Sequence, residues 1–115
     1  MTIQRYDAGP RMSRMVIHER TIYLSGLTAD DTTADVRGQT SQTLAKIDGY
    51  LGRAGSGKSK ILSAIIWISD IETFDEMNAI WDAWVDKDNP PVRATVESRL
   101  AGDEYLVEIM VTAAL

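Results

Sequence analysis

A chain of 115 residues with 44% hydrophobic and 25% charged side chains has the make-up of one globular domain with a modest core, the kind that often gains further burial by oligomerising. Lys and Arg number 12 against 17 Asp and Glu, a net charge of −5. That disfavours a nucleic-acid partner, whose phosphates are held by cations; Arg5, Arg11, Arg14 and Arg20 come without an aromatic stacking set. With no cysteine and one histidine, His18, disulfides, thiolate metal sites and a cysteine nucleophile are excluded, and no metal centre or Ser-His-Asp triad is expected.

Met1-Thr2-Ile3-Gln4-Arg5 lacks the apolar run of a signal peptide, and no apolar stretch is long enough to span a bilayer, so a cytoplasmic protein without membrane contact is expected. Residues 3–6 read as a short strand. Residues 14–17 and 21–25, rich in β-branched and aromatic side chains, read as a hairpin turning at His18-Glu19-Arg20 and ending at Gly26. Asp30-Asp31-Thr32-Thr33 offers helix N-caps, and with Asp35 its carboxylates complement a helix dipole. Beyond it Val36, Thr40, Thr43, Leu44, Ile47, Tyr50 and Leu51 mark one face of a helix of about five turns, stopped at Gly55-Ser56-Gly57.

The run 61–68 is nearly all apolar and β-branched, as in a buried central strand. Thr73-Phe74-Asp75-Glu76 has the spacing of a capping box. It opens a second helix whose apolar face carries Phe74, Met77, Trp81 and Trp84, and Asn89-Pro90-Pro91 ends it. Strands over 92–100 and 105–113 follow, joined by Ala101-Gly102-Asp103. The order β-β-β-α-β-α-β-β predicts a single α+β domain over residues 1–115, a mixed sheet with two helices packed on one face.

Gly52-Arg53-Ala54-Gly55-Ser56-Gly57-Lys58-Ser59 spells the phosphate-binding pattern G-x-x-x-x-G-K-S. That loop works only when a strand leads in and a helix leads out, so that the helix N-terminus faces the phosphates. Here the order is reversed, and the segment reads as a connector with Lys58 and Lys60 in solvent.

Arg93 follows Pro90-Pro91 and opens a strand otherwise apolar or small on one face. It could grip a carboxylate through two parallel charge-assisted hydrogen bonds, pair internally with Glu97 or Glu108, or sit in water at a strand edge. Glu108 lies within Leu106-Val107-Glu108-Ile109-Met110-Val111. Desolvation there would raise its pKa toward the range useful for proton transfer, whereas an outward-facing position would leave it solvated. Ser25 could donate to a ligand or cap a turn. Asn78 could reach a pocket or stay exposed on its helix. Trp67, Trp81 and Trp84 read as core or interface.

Taken in order, Gly9-Pro10, Tyr23-Leu24-Ser25-Gly26, Gln42-Thr43-Leu44, the connector 55–59, Asp70 through Asn78, Pro91-Val92-Arg93-Ala94-Thr95-Val96 and Val107-Glu108-Ile109 resemble the Rid/YjgF family (reactive intermediate deaminases) over almost the whole chain. The resemblance implies a chorismate-mutase-like fold and a homotrimer with ligand pockets between subunits. It also implies hydrolysis of enamines and imines such as 2-aminoacrylate and 2-iminobutanoate to 2-oxo acids and ammonia, without cofactor or metal. On this basis Arg93 binds the substrate carboxylate, Glu108 positions or activates water, and Ser25, Asn78 and Thr95 line the pocket. Two positions depart from the family's active members: Arg11 replaces a tyrosine after Gly-Pro, and Thr95 replaces a cysteine. The alternative is a non-catalytic trimer that holds a small carboxylate metabolite. Ribonuclease activity, reported for some members, sits poorly with the acidic charge.

Overall fold

The computed structural model describes residues 2–115. Its elements follow the predicted order: β1 (Ile3–Tyr6), β2 (Met15–His18), β3 (Thr21–Leu24), α1 (Val36–Arg53), β4 (Ile61–Ile68), α2 (Phe74–Trp84), β5 (Val92–Glu97) and β6 (Val107–Ala114). The strands form one mixed sheet in the order β1-β2-β3-β6-β4-β5. Only β4 and β5 run parallel, which α2 allows by serving as the crossover between them.

Both helices cover one face of the sheet. Alternation along β4 and β6 sends Ala64, Ile66, Ile68, Val107, Ile109 and Val111 into the core beneath them, all at 2% exposure or less. From α1 come Leu44, Ile47 and Leu51, and from α2 Met77 and Trp81. Trp84 Nε1 donates to Asp48 Oδ2 at 2.9 Å and ties α2 to α1.

Local chemistry at the helix ends differs from the expected pattern. Asp35, rather than the 30–33 segment, caps α1 by accepting from the Gly38 amide at 2.9 Å. Asp30 instead pairs with Lys46 at 2.9 Å. The capping box at Thr73 does not form. The Thr73 hydroxyl donates to the Asp70 carbonyl at 2.7 Å, and Asp70 caps a single 3-10 turn leading into α2. Gln39, on the buried side of α1, was not foreseen as a core residue. Its Nε2 donates to the carbonyls of Thr32, Ala34 and Glu104, and its Oε1 accepts from the Leu106 amide.

The connector reading of 52–59 holds. Ser56 N donates to Leu51 O at 2.8 Å and Gly55 N to Gly52 O at 3.0 Å, with Gly55 at φ 77°. This paired arrangement closes a helix C-terminus and favours glycine at the left-handed position. The glycines thus serve to stop α1, and the chain then enters β4 through one 3-10 turn. Lys58 stays exposed, with its amine 5.6 Å from the centre of the Trp84 ring.

Element boundaries also move. α2 ends at Trp84, capped at an extended Val85, before Asn89-Pro90-Pro91 is reached. His18 is the last residue of β2, paired with Thr21, and the turn is Glu19-Arg20 with Glu19 at φ 57°. β5 stops at Glu97 rather than 100, and β6 starts at Val107 rather than 105.

The other face of the sheet carries no helix. On β5 the apolar set Val92, Ala94 and Val96 points to this open side, with Val92 73% exposed, while Arg93 and Thr95 point to the helix side. Tyr23, Ile65 and Met110 extend the exposed apolar surface across β3, β4 and β6.

Candidate functional site

Arg93 pairs across the ladder with Ala64, a core-facing residue, so its side chain projects to the helix side of β5, the edge strand. There α2 supplies Trp81, 5% exposed, and the Arg93 guanidinium carbon lies 5.1 Å from the centre of its ring. Among the described residues no carboxylate forms an ion pair with Arg93. Glu97 is occupied by the Ile71 amide, which donates to it at 2.8 Å. Partial burial pulls the guanidinium pKa below its ordinary value, with the nearby Asp82 carboxylate opposing. Thr95 follows on the same side of β5, and Asn78 stands one helical turn before Trp81.

Glu108 belongs to a different place. It pairs with Trp67 on β4 and faces the open side of the sheet. β3 leads toward it through an irregularity. Tyr23 pairs with Thr112 and Leu27 with Ile109, so three residues, 24–26, stand opposite two, 110–111. An extra residue of this kind kinks a strand and re-aims its side chains. The irregularity presents Ser25 and brings the Gly26 backbone beneath the Glu108 carboxylate. A Cβ at Gly26 would overlap Glu108 Oε2 and lie 3.0 Å from its Cδ.

The five sequence-predicted residues therefore form two groups. Arg93 and Thr95, with Asn78 nearby on α2, lie on the helix side of the β5 edge; Ser25 and Glu108 lie around the β3–β6 irregularity. β4 separates β5 from β6, two strand spacings or roughly 10 Å, and the side chains of Arg93 and Glu108 point to opposite faces. Grooves of the single chain among the described residues include one of about 620 Å³ by Asp7, Gly9, Arg11 and Arg14, one of about 410 Å³ by Ser69, Glu97, Arg99 and Tyr105, and one of about 290 Å³ by Arg14, Lys46, Tyr50 and Tyr105; Arg93 and Glu108 line none of these three.

One property joins the groups. Ser25 Oγ, Asn78 Oδ1 and Thr95 Oγ1 are buried without a hydrogen-bond partner among the described residues. Such an atom costs about 1–3 kcal/mol unless something satisfies it. Sequence reasoning missed Trp81 as the platform under Arg93 and Gly26 as the floor under Glu108. The first had a signal in its position one turn after Asn78. The second had none beyond a glycine next to Ser25. Among the described residues no cluster of His, Cys, Asp or Glu could hold a metal, and no helix is long and apolar enough to cross a membrane.

An α+β domain with two helices on a mixed six-stranded sheet, and at its edge an arginine without an ion pair among the described residues, is the class defined so far. The model of the Endoribonuclease L-PSP family matches residues 2–115. The RutC family protein YoaB of Escherichia coli (strain K12) is 46% identical over 115 residues, 100% of both chains. A RutC family protein of Haemophilus influenzae is 40% identical over 114 residues, 98% of each chain. The crystal structure of NMB1025, a YjgF-family member from Neisseria meningitidis, is similar at a TM-score of 0.96 and 40% identity, covering 99% of this chain and 95% of that one. The chain belongs to the YjgF/RutC family, the family its ordered motifs resemble.

Proposed function

We propose that this protein hydrolyses reactive enamine and imine intermediates bearing a carboxylate to 2-oxo acids and ammonia. The observation that carries the reading is Arg93: a partly buried guanidinium over the Trp81 ring, with no ion-paired carboxylate among the described residues. Its N–H fork matches a carboxylate. In this reading it fixes the substrate so that the C=N carbon is held for attack.

Glu108 holds the water, takes its proton as oxygen adds to that carbon, and returns it to the nitrogen to give a carbinolamine. Glu108 then takes the hydroxyl proton and passes it to nitrogen as the C–N bond breaks, so ammonia leaves and a carbonyl remains. An enamine enters the same path after tautomerising to the imine. Ser25, Asn78 and Thr95 hydrogen-bond the bound molecule, and their unpartnered polar atoms support that role. No cofactor or metal takes part in this scheme.

Because Arg93 and Glu108 face opposite sides of one sheet, the scheme needs the Arg93 group of one copy to meet the Glu108 group of another. A ring of three copies meets this requirement, each interface holding one site. The exposed apolar side of the sheet, with Val92, Val96, Ile65 and Met110, supports association, since apolar surface of that kind gains by burial. The location in this reading is the cytoplasm, where such metabolites arise.

The test is ammonia release from 2-iminobutanoate or 2-aminoacrylate generated enzymatically in the assay. The wild type should accelerate it and Arg93→Ala should not. Equal rates for both, at the uncatalysed level, would make the reading wrong. Thermal stabilisation by 2-oxobutanoate without turnover of any imine would favour the carboxylate-binding protein instead.

A further inference from the structure

We propose that Trp81 is a positioning residue for Arg93, an indole platform that holds the guanidinium in place while leaving its hydrogen-bonding edge unoccupied. The inference rests on the reading of Arg93 as the anion-binding group. An arginine side chain has several rotatable bonds, and something must order it before a ligand arrives. A protein carboxylate would do so, but it would also consume the N–H donors the ligand needs. An aromatic face instead engages the flat surface of the guanidinium and leaves the N–H groups in its plane available.

The surroundings make this platform stiff. Trp81 is 5% exposed and lies 5.3 Å from Trp84, the ring planes tilted by 54°. Trp84 is in turn pinned by its hydrogen bond to Asp48 on α1. A connected series of contacts thus runs from α1 through two indoles to the guanidinium at the sheet edge. Asp82, the next residue on α2, adds attraction without forming an ion pair.

The experiment compares the full-length wild type with Trp81→Phe and Trp81→Leu by nitrogen-15 NMR, melting temperature and titration with 2-oxobutanoate. The Arg93 Nε–Hε resonance, identified by its loss in Arg93→Lys, should show an upfield ring-current shift. Trp81→Phe should keep much of that shift and Trp81→Leu should lose it. Binding of 2-oxobutanoate should weaken about 3- to 30-fold in Trp81→Leu and less in Trp81→Phe, the range expected for a cation–π contact.

A wild-type resonance at the ordinary arginine position would overturn the proposal. So would undiminished binding in Trp81→Leu. A purely structural role would lower the melting temperature of both variants and leave binding unchanged. Should Trp81→Leu fail to fold, Trp81→Phe carries the test, and binding with no loss at all there would count against the platform. Absence of binding by a wild type that does show the ring-current shift would reject the carboxylate reading and leave the stack itself standing.

Discussion

Replacing Gly26 by alanine separates the position of Glu108 from its presence. The added Cβ would occupy the space of Glu108 Oε2 and press on Cδ, so the carboxylate must swing away by about 1 Å or more. It is the end of a flexible side chain, and the rotamer change costs about 0.5–1.5 kcal/mol. Gly26 is not among the positive-φ residues, so alanine brings no backbone strain and restricts the unfolded chain, which offsets about 0.4–1 kcal/mol. Folding should therefore be almost unaffected, with the melting temperature within a few degrees of wild type. Catalysis should not be spared, since a misplacement of about 1 Å costs on the order of 10²-fold. Imine hydrolysis followed by ammonia release, with Glu108→Gln as the reference, reads this directly. Full activity in Gly26→Ala beside a dead Glu108→Gln would refute the claim that the floor under the carboxylate sets its catalytic position.

Other consequences are equally direct. Gln39→Leu strips hydrogen bonds from the Leu106 amide and from the carbonyls of Thr32, Ala34 and Glu104; a loss of about 3 kcal/mol or more, some 10 °C in melting temperature, is expected in calorimetry. The hydrogen bond from Arg53, then that from Tyr50, holds the Asp7 carboxyl below its ordinary pKa. The stabilisation is present above the unfolded-state value near 3.9 and is lost as pH falls through the lower folded value. A scan of melting temperature against pH should show a shallower acid decline in Asp7→Asn. Mixing equal amounts of Arg93→Ala and Glu108→Gln chains, each inactive alone, should restore roughly one quarter of the sites if each site draws on two copies around a ring; no recovery after co-refolding would reject the shared site.

The fold was legible because each element carries its own period. The 3.6-residue stripe of α1 and the alternation of β6 match the burial observed; the apolar run of β4 marks a central strand but is buried on the helix side only, with Leu62 and Ile65 exposed on the other. What escaped was set by tertiary contacts. Thr73 lost its capping role because the Asp70 carbonyl takes its hydroxyl, and Gln39 looks like any helix glutamine until the 104–106 segment arrives, 65 residues later in sequence, to meet it. The phosphate-loop spelling of 52–59 makes no phosphate loop, because flanking elements rather than letters decide where the amides point. At the site, Arg93, Glu108, Ser25 and Asn78 stand out one by one with open alternatives, and the ordered motifs add Thr95 and join all five. Their separation into two groups depends on register, which no local pattern states.

That register also accounts for how, in the proposed reaction, an arginine and a glutamate can serve one site without cancelling each other. In the ladder Arg93 aligns with Ala64 and Val111, and Glu108 with Trp67 and Val96. The two side chains leave the sheet on opposite sides. Had Glu108 been one position along β6 it would have faced the helix side, as Arg93 does, and its charge would have acted on the guanidinium through the low-dielectric interior. With the acid on the far face, Arg93 forms no ion pair among the described residues, and in the proposed arrangement the indole of Trp81, rather than a carboxylate, holds it. The arrangement has a cost in the proposed scheme: the cation and the acid would act on one molecule only where two copies of the sheet meet.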